Sequence, residues 1–187
     1  MKKLVLFKGS LFLTIGLFLI TYNSYGQDKK LARLEHKEAR RAELLANFQV
    51  LDTLLEGKAF VLKADFLQNQ YGDRIDVTPV LNFIRVDSTD AVLQTGSNYR
   101  YGYNGVGGVT AEGRISSWKL IKDIRNLSFN IRFSIITNIG VYDVFMTLNA
   151  DNNARATITG LRRGMLTYDG HLELISNSAV FKGQNRY

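Results

Sequence analysis

The stretch "NLSFNIRFSIIT", residues 126–137, decides how the rest of the chain is read. Phe129, Ile131, Phe133 and Ile135 occupy every second position, and Asn130, Arg132 and Ser134 fill the places between them. An extended chain sends successive side chains to opposite faces, so the pattern describes a strand with one buried face and one wet face.

The same mixture of β-branched and aromatic residues recurs on both sides of it. Before it come "KAFVLKADF" (58–66), "TPVLNFIRVD" (78–87), "DAVLQT" (90–95) and "GVTAEGRISSWKLIKD" (108–123), the last long enough to break into two strands. After it come "GVYDVFMTLNA" (140–150), "ARATITGL" (154–161) and "GMLTYDGHLELI" (164–175). The connections "NIG" (138–140), "DNN" (151–153) and "RRG" (162–164) are short and carry Asn, Asp or Gly, which tolerate the positive φ of hairpin turns. Strands joined this way pair antiparallel with their neighbours. A meander of about eight must close into a barrel or fold into two layers to protect its edges. The expected fold is therefore all-β and mainly antiparallel, a small lipocalin-like barrel or a two-layer sandwich, led by an N-terminal α-helix. The absence of βαβ alternation argues against a nucleotide-binding parallel sheet.

That helix is read from residues 27–56, which are rich in helix formers and contain neither proline nor glycine. Leu44, Phe48, Leu51 and Leu55 recur at spacings of four, three and four, so they share one face of the helix. Gly57 is expected to end it in a left-handed cap. The evenly charged part before Leu44 offers a core only Leu31 and Leu34, and is expected to fray or stay as a solvated arm. Its apolar seam is too short for a partner-binding coiled coil.

Residues 1–26 have the features of a signal peptide. Lys2 and Lys3 precede the apolar run "LFLTIGLFLITY" (11–22), and Ser24 and Gly26 supply the small residues a signal peptidase needs, which predicts cleavage before Gln27. An uncleaved anchor is the alternative, since residues 4–22 nearly reach a bilayer span of about 18 residues, but Lys8, Gly9 and Ser10 interrupt the run. The domain reading is thus signal peptide 1–26, charged arm and packing helix 27–57, and antiparallel β domain 58–187. The mature chain is expected in the periplasm or outside the cell, without stable membrane insertion. With no cysteine in the chain, a lipoprotein anchor, disulfides and zinc–thiolate sites are all excluded. Losing Lys2, Lys3 and Lys8 takes the net charge from +7 to +4, a mild excess that does not point to nucleic acid.

Candidate functional residues are few. In "GSNYRYGYNGVGG" (96–108) the glycines follow neither phosphate-binding pattern, and strand-like residues follow them. Tyr99, Tyr101 and Tyr103 alternate with Arg100 and share a face in extended geometry, apt for stacking on a sugar or lining an apolar pocket. These four residues are the expected ligand or partner contact. Only His36 and His171 could act as bases, and no nucleophile elbow accompanies them. Asp169 and His171 lie two apart and could orient one another, although Asp169 reads more simply as a turn residue before Gly170. "DNN" lacks the further oxygen ligands of a calcium loop. Asp65, Asp73, Asp76, Asp87, Asp90 and Glu112 lie near strand ends, where paired carboxylates could sit. No cofactor or metal is expected.

The Gly/Tyr-rich middle segment "YRYGYNGVGG" and the late "MLTYDGHLELI", in which Tyr168, Asp169 and Gly170 match a Tyr-x-Gly turn, resemble an exported family of Bacteroides-like bacteria, domain of unknown function 4251. The resemblance runs from about Phe60 to Ile175. The family's Leu-Pro-aromatic stretch before the middle loop is replaced here by "LQTGSNY". The resemblance implies an exported antiparallel β fold, somewhat lipocalin-like, and supplies no catalytic residues. Together these readings favour an exported, non-catalytic binding or structural module of the cell envelope, taking a small apolar or saccharide ligand or an envelope partner. The alternative is an envelope hydrolase using loop carboxylates.

Overall fold

Strands form where the period-two pattern runs, and they close on themselves. The computed structural model describes residues 2–97, 108–161 and 164–183, with side chains from residue 29 on, that of Leu161 excepted. After helix α1 (Lys2–Glu56) come β1 (Ala59–Asn69), β2 (Arg74–Asp76), β3 (Phe83–Asp87), β4 (Asp90–Thr95) and β5 (Val109–Asp123). Then follow β6 (Ser128–Thr137), β7 (Gly140–Asn149), β8 (Ala154–Leu161) and β9 (Gly164–Leu174). Each strand from β3 to β9 pairs antiparallel with the next, and β1 pairs with β3 on one edge and β9 on the other. Eight strands thus make a closed barrel, and β2 extends the β3 side of β1. Of the two arrangements open to the sequence, closure is the one adopted, because β9 reaches β1 along nine registered positions.

Several local expectations change. Residues 78–82 form a turn, with the Leu81 and Asn82 N–H groups donating to the Thr78 carbonyl, so β3 starts at Phe83 and not at Thr78. Pro79 has no N–H to give a ladder. Residues 108–123 do not break into two; β5 is one strand that absorbs its extra residue in a bulge between Ile115 and Ser117. Gly57 ends the helix, but the left-handed residue is Lys58, with φ of 48°. Its ammonium sits 5.3 Å from the Trp118 ring centre, a cation–π contact that helps offset the backbone strain.

The chain forms two compact units, Met1–Glu43 and Leu44–Tyr187. In the first, residues 29–43 remain helical, without the fraying the sequence allowed, and their side chains are exposed. In the second, the inward residues of the alternating strands fill the barrel: Phe60, Leu62, Phe129, Ile131, Phe133, Ile135, Val144, Met146 and Leu148 are all buried. Each such burial contributes about 1.5–3 kcal/mol. The last turns of α1 close one end. Phe48 stacks on Phe129 with ring centres 4.3 Å apart, Leu51 and Leu55 join the same core, and Lys122 of β5 pairs with Asp52 and Glu56 at 2.7 Å each. The four-three-four spacing read from the sequence is the face that plugs the barrel.

A second, smaller core lies on the outer face of β1, β3 and β4, where Ile175 and Val180 of the C-terminal segment cover Val61, Phe83 and Val92. Two fully buried amides fasten it. Gln94 donates to the carbonyls of Leu81 (3.1 Å) and Phe181 (2.8 Å) and accepts from the Gly183 N–H (2.7 Å) and the Thr110 hydroxyl (3.1 Å). Asn82 exchanges hydrogen bonds with Gly96, both at 3.0 Å, and donates to Thr78.

Two stability measurements follow from this packing. Phe48→Ala should cost about 3–5 kcal/mol in urea unfolding, because it empties the plug. Gln94→Leu should cost about 1–3 kcal/mol for each buried group it orphans and should expose residues 176–183 to limited proteolysis, whereas an intact tail in that variant would show that apolar contacts alone hold it.

Candidate functional site

The barrel end opposite the helix has no such plug among the described residues. It is formed by the end of β4, the start of β5, the β6–β7 turn and the β8–β9 hairpin. There a recess of about 190 Å³ opens, walled by Leu93 and Thr95 of β4 and by Val109 and Ala111 of β5. Tyr142 of β7, Ile158 of β8, and Leu166 and Tyr168 of β9 complete the wall. Apart from Thr95 and the two phenols its side chains are aliphatic. Around the same end Ile136, Ile139, Val141 and Met165 are exposed, which makes the rim apolar as well.

The two tyrosines differ in one respect. The Tyr168 hydroxyl donates to the Gln94 carbonyl at 3.1 Å deep in the wall, so its polar tip is satisfied. The Tyr142 residue is only 4% exposed, and no polar group among the described residues bonds its hydroxyl. Burial pushes both phenols above their ordinary titration range, so both stay neutral in physiological conditions.

Tyr99, Arg100, Tyr101 and Tyr103, the contact residues expected from the sequence, lie outside the described residues. The strands their segment joins are nevertheless the ones that contribute Thr95 and Val109 to the recess. The recess itself was not read from the sequence. Its only signal there was a tyrosine on the inward face of a strand, at positions 142 and 168, where an aliphatic residue would fill the core without a polar tip to accommodate.

The ionisable candidates sit on the outer face. Tyr168, Asp169 and Gly170 are not a turn; they lie in the middle of β9, and Gly170 is glycine because a Cβ there would collide with the Lys63 carbonyl oxygen where β1 bulges at Asp65. Asp169 accordingly is no turn residue. Arg155 clamps it through two bonds, at 2.6 and 3.0 Å, and Arg74 approaches to 3.7 Å while stacking over Phe66. His171 shares its face but is engaged elsewhere, 3.4 Å from Asp65 and 3.3 Å from Glu173. His36 stands apart in the exposed helix.

Asp65, Arg74, Arg155 and Asp169 line a shallow groove of about 410 Å³. Asp87, Asp90 and Glu112 line another of about 750 Å³, where Arg85 pairs with Asp87 (2.7 Å) and Lys182 with Glu112 (2.6 Å). Asp73 accepts from the Asn69 amide, and Asp76 lies on exposed β2. The carboxylates of these grooves are largely occupied by cations, which leaves them poorly placed to pass a proton to a substrate. "DNN" is a hairpin turn: Asn152 takes φ of 65° and bonds the Leu172 backbone in both directions. No group of three metal-ligating side chains occurs among the described residues.

Fold and site together define a small closed antiparallel β-barrel, packed inside and plugged by a helix at one end, with an apolar recess at the other. The chain belongs to the family described as Domain of unknown function (DUF4251), which matches residues 42–172, from the plug helix through β9. A crystal structure of a DUF4251 family protein from Bacteroides eggerthii DSM 20697 is similar to it, with 31% identity, a TM-score of 0.60, and coverage of 71% of this chain and 91% of that one. No curated protein matches the chain.

One carboxyl at the seam where the barrel closes is held toward its charged form. Burial pushes the Glu173 carboxyl up, but the bonds from Lys63 and His171 outweigh it and hold the group below its ordinary value. A depressed carboxyl stabilises the fold above its unfolded pKa, about 4.3, and the contribution is lost as pH falls through the lower folded value. The melting temperature of Glu173→Gln should therefore lie below that of the unsubstituted chain at pH 7 and converge with it as the pH drops below about 4.

Proposed function

We propose that the protein is exported and acts in the periplasm or outside the cell as a non-catalytic binding module whose barrel mouth takes a small apolar ligand, or the apolar part of an envelope partner. The observation that carries this reading is the contrast inside the barrel. Among the described residues, side chains and the helix plug fill the interior, and at the mouth aliphatic walls, two phenols and an apolar rim leave about 190 Å³ open. A wholly structural barrel gains stability by filling such a space, since each missing buried methylene forgoes about 0.8 kcal/mol. The alternating tyrosines 99, 101 and 103, with Arg100, belong to the segment between the two strands that supply much of this wall, and they are proposed as further contacts. The basic and apolar features of residues 1–26 support export with cleavage before Gln27. The small positive charge left after cleavage favours neither nucleic acid nor stable membrane insertion.

Toluene or indole, titrated into the ¹⁵N-labelled protein, should shift amide resonances of β4, β5 and β7 near the mouth and raise the melting temperature with concentration. Ala111→Phe fills the recess from within its wall and should abolish the shifts while the fold persists. Tyr101→Ala and Tyr103→Ala should weaken binding with little change in thermal stability. Unaltered binding in Ala111→Phe would remove the mouth from consideration.

A further inference from the structure

The recess has the size of a single ring, and at its edge stands a phenol whose hydroxyl has no hydrogen bond to another described residue. An apolar cavity of about 150 Å³ is known to admit benzene, so about 190 Å³ admits a ring with one or two additional heavy atoms. A fused bicycle with long substituents or an extended acyl chain does not fit within it. Tyr142 forms part of the wall, and its hydroxyl lies beside Gly140, at the β6–β7 turn that borders the opening. That hydroxyl is not among the buried polar atoms left without a partner, so it reaches solvent at the opening, and it gives the wall a hydrogen-bonding tip that phenylalanine would lack. Next to it, Tyr168 shows the alternative, with its hydroxyl satisfied by the Gln94 carbonyl. The Tyr142 hydroxyl, by contrast, is available at the boundary between the apolar interior and the rim.

We infer that the mouth selects a ring-sized aromatic group bearing one hydroxyl or ring N–H, with the ring among Leu93, Ala111, Ile158 and Leu166 and its polar atom on the Tyr142 hydroxyl. This rests on reading the mouth as a binding site and adds to it the class of ligand and the residue that discriminates. The neutral phenol both donates and accepts, so it serves a phenol hydroxyl or an indole N–H equally well. A phenol ring can be a free small molecule or the tyrosine side chain of a peptide; the chemistry that Tyr142 recognises is the same.

The test compares 4-methylphenol with toluene, which has nearly the same shape without the hydroxyl, by NMR titration of the full chain. The unsubstituted protein should bind 4-methylphenol about fivefold to tenfold more tightly than toluene, the worth of one net hydrogen bond. Tyr142→Phe should reduce the ratio to about one. Independently of any substitution, the Tyr142 ¹³Cζ resonance should move with 4-methylphenol and stay in place with toluene. Equal affinities for the two probes, or a stationary Tyr142 resonance, would overturn this inference and leave the mouth as an unselective apolar site. Failure of both probes to bind would overturn the binding reading as well. With N-acetyltyrosinamide as a third probe, affinity matching 4-methylphenol points to a peptide source, and its exclusion points to a free phenol.

Discussion

The ladder between β1 and β9 is the constraint on which the rest of the molecule depends. Without it β9 and β1 would be exposed edges with unpaired N–H and C=O groups, and the inward faces of eight strands would open to water. Pairing over residues 60–69 and 166–174 encloses those faces, but only because β1 can bulge at Asp65 opposite Gly170, where any side chain would strike the Lys63 carbonyl. On the outer surface the same seam is held by side chains far apart in sequence, Lys63 paired with Glu173 and His171 in hydrogen-bond contact with Asp65. Asp65 and His171, two of the residues weighed for chemistry, are thus engaged with each other across the seam.

A closed barrel must fill its interior, and its two ends are treated differently. At one end the helix supplies Phe48, Leu51 and Leu55 from a single face, and Lys122 ties Asp52 and Glu56 to the rim. At the other end no such element enters among the described residues, and Ala111 stands in the wall where a larger side chain would complete the packing. This asymmetry separates a filled half from a half that holds a recess. It also explains why two tyrosines in one wall carry different hydroxyls: Tyr168 turns its tip to the Gln94 carbonyl in the packed wall, and Tyr142 leaves its tip at the opening.

Much of the fold was legible in single residues. The alternation of Phe129, Ile131, Phe133 and Ile135 against Asn130, Arg132 and Ser134 is the burial pattern of β6, and Leu44 to Leu55 is the packed face of the helix. What escaped had weak or misleading local signals. Strand β2 is three exposed residues, so it has no burial pattern to read. The apolar run at 78–87 hid a turn around Pro79, and a Gly-containing triplet in β9 looked like a turn because glycine serves close backbone approach as well as tight bends. The candidate site was less legible still. The tyrosines singled out at 99, 101 and 103 fall outside the described residues, while Tyr142 was one aromatic among many on an alternating strand.

By itself, the sequence determined which residues face inward, since the period of a strand or helix is a property of the local backbone and each alternating apolar residue declares its side. It also determined what chemistry is absent, because thiols and phosphate-binding glycine patterns are matters of composition and spacing. Only the tertiary structure decided that the sheet closes as a barrel, that Asp169 serves Arg155, and that the Tyr142 hydroxyl stands at the opening with no bond to another described residue. Those outcomes depend on register between strands distant in the chain, set by the summed packing of the whole interior and by the positions of single bulges. No local period encodes that sum.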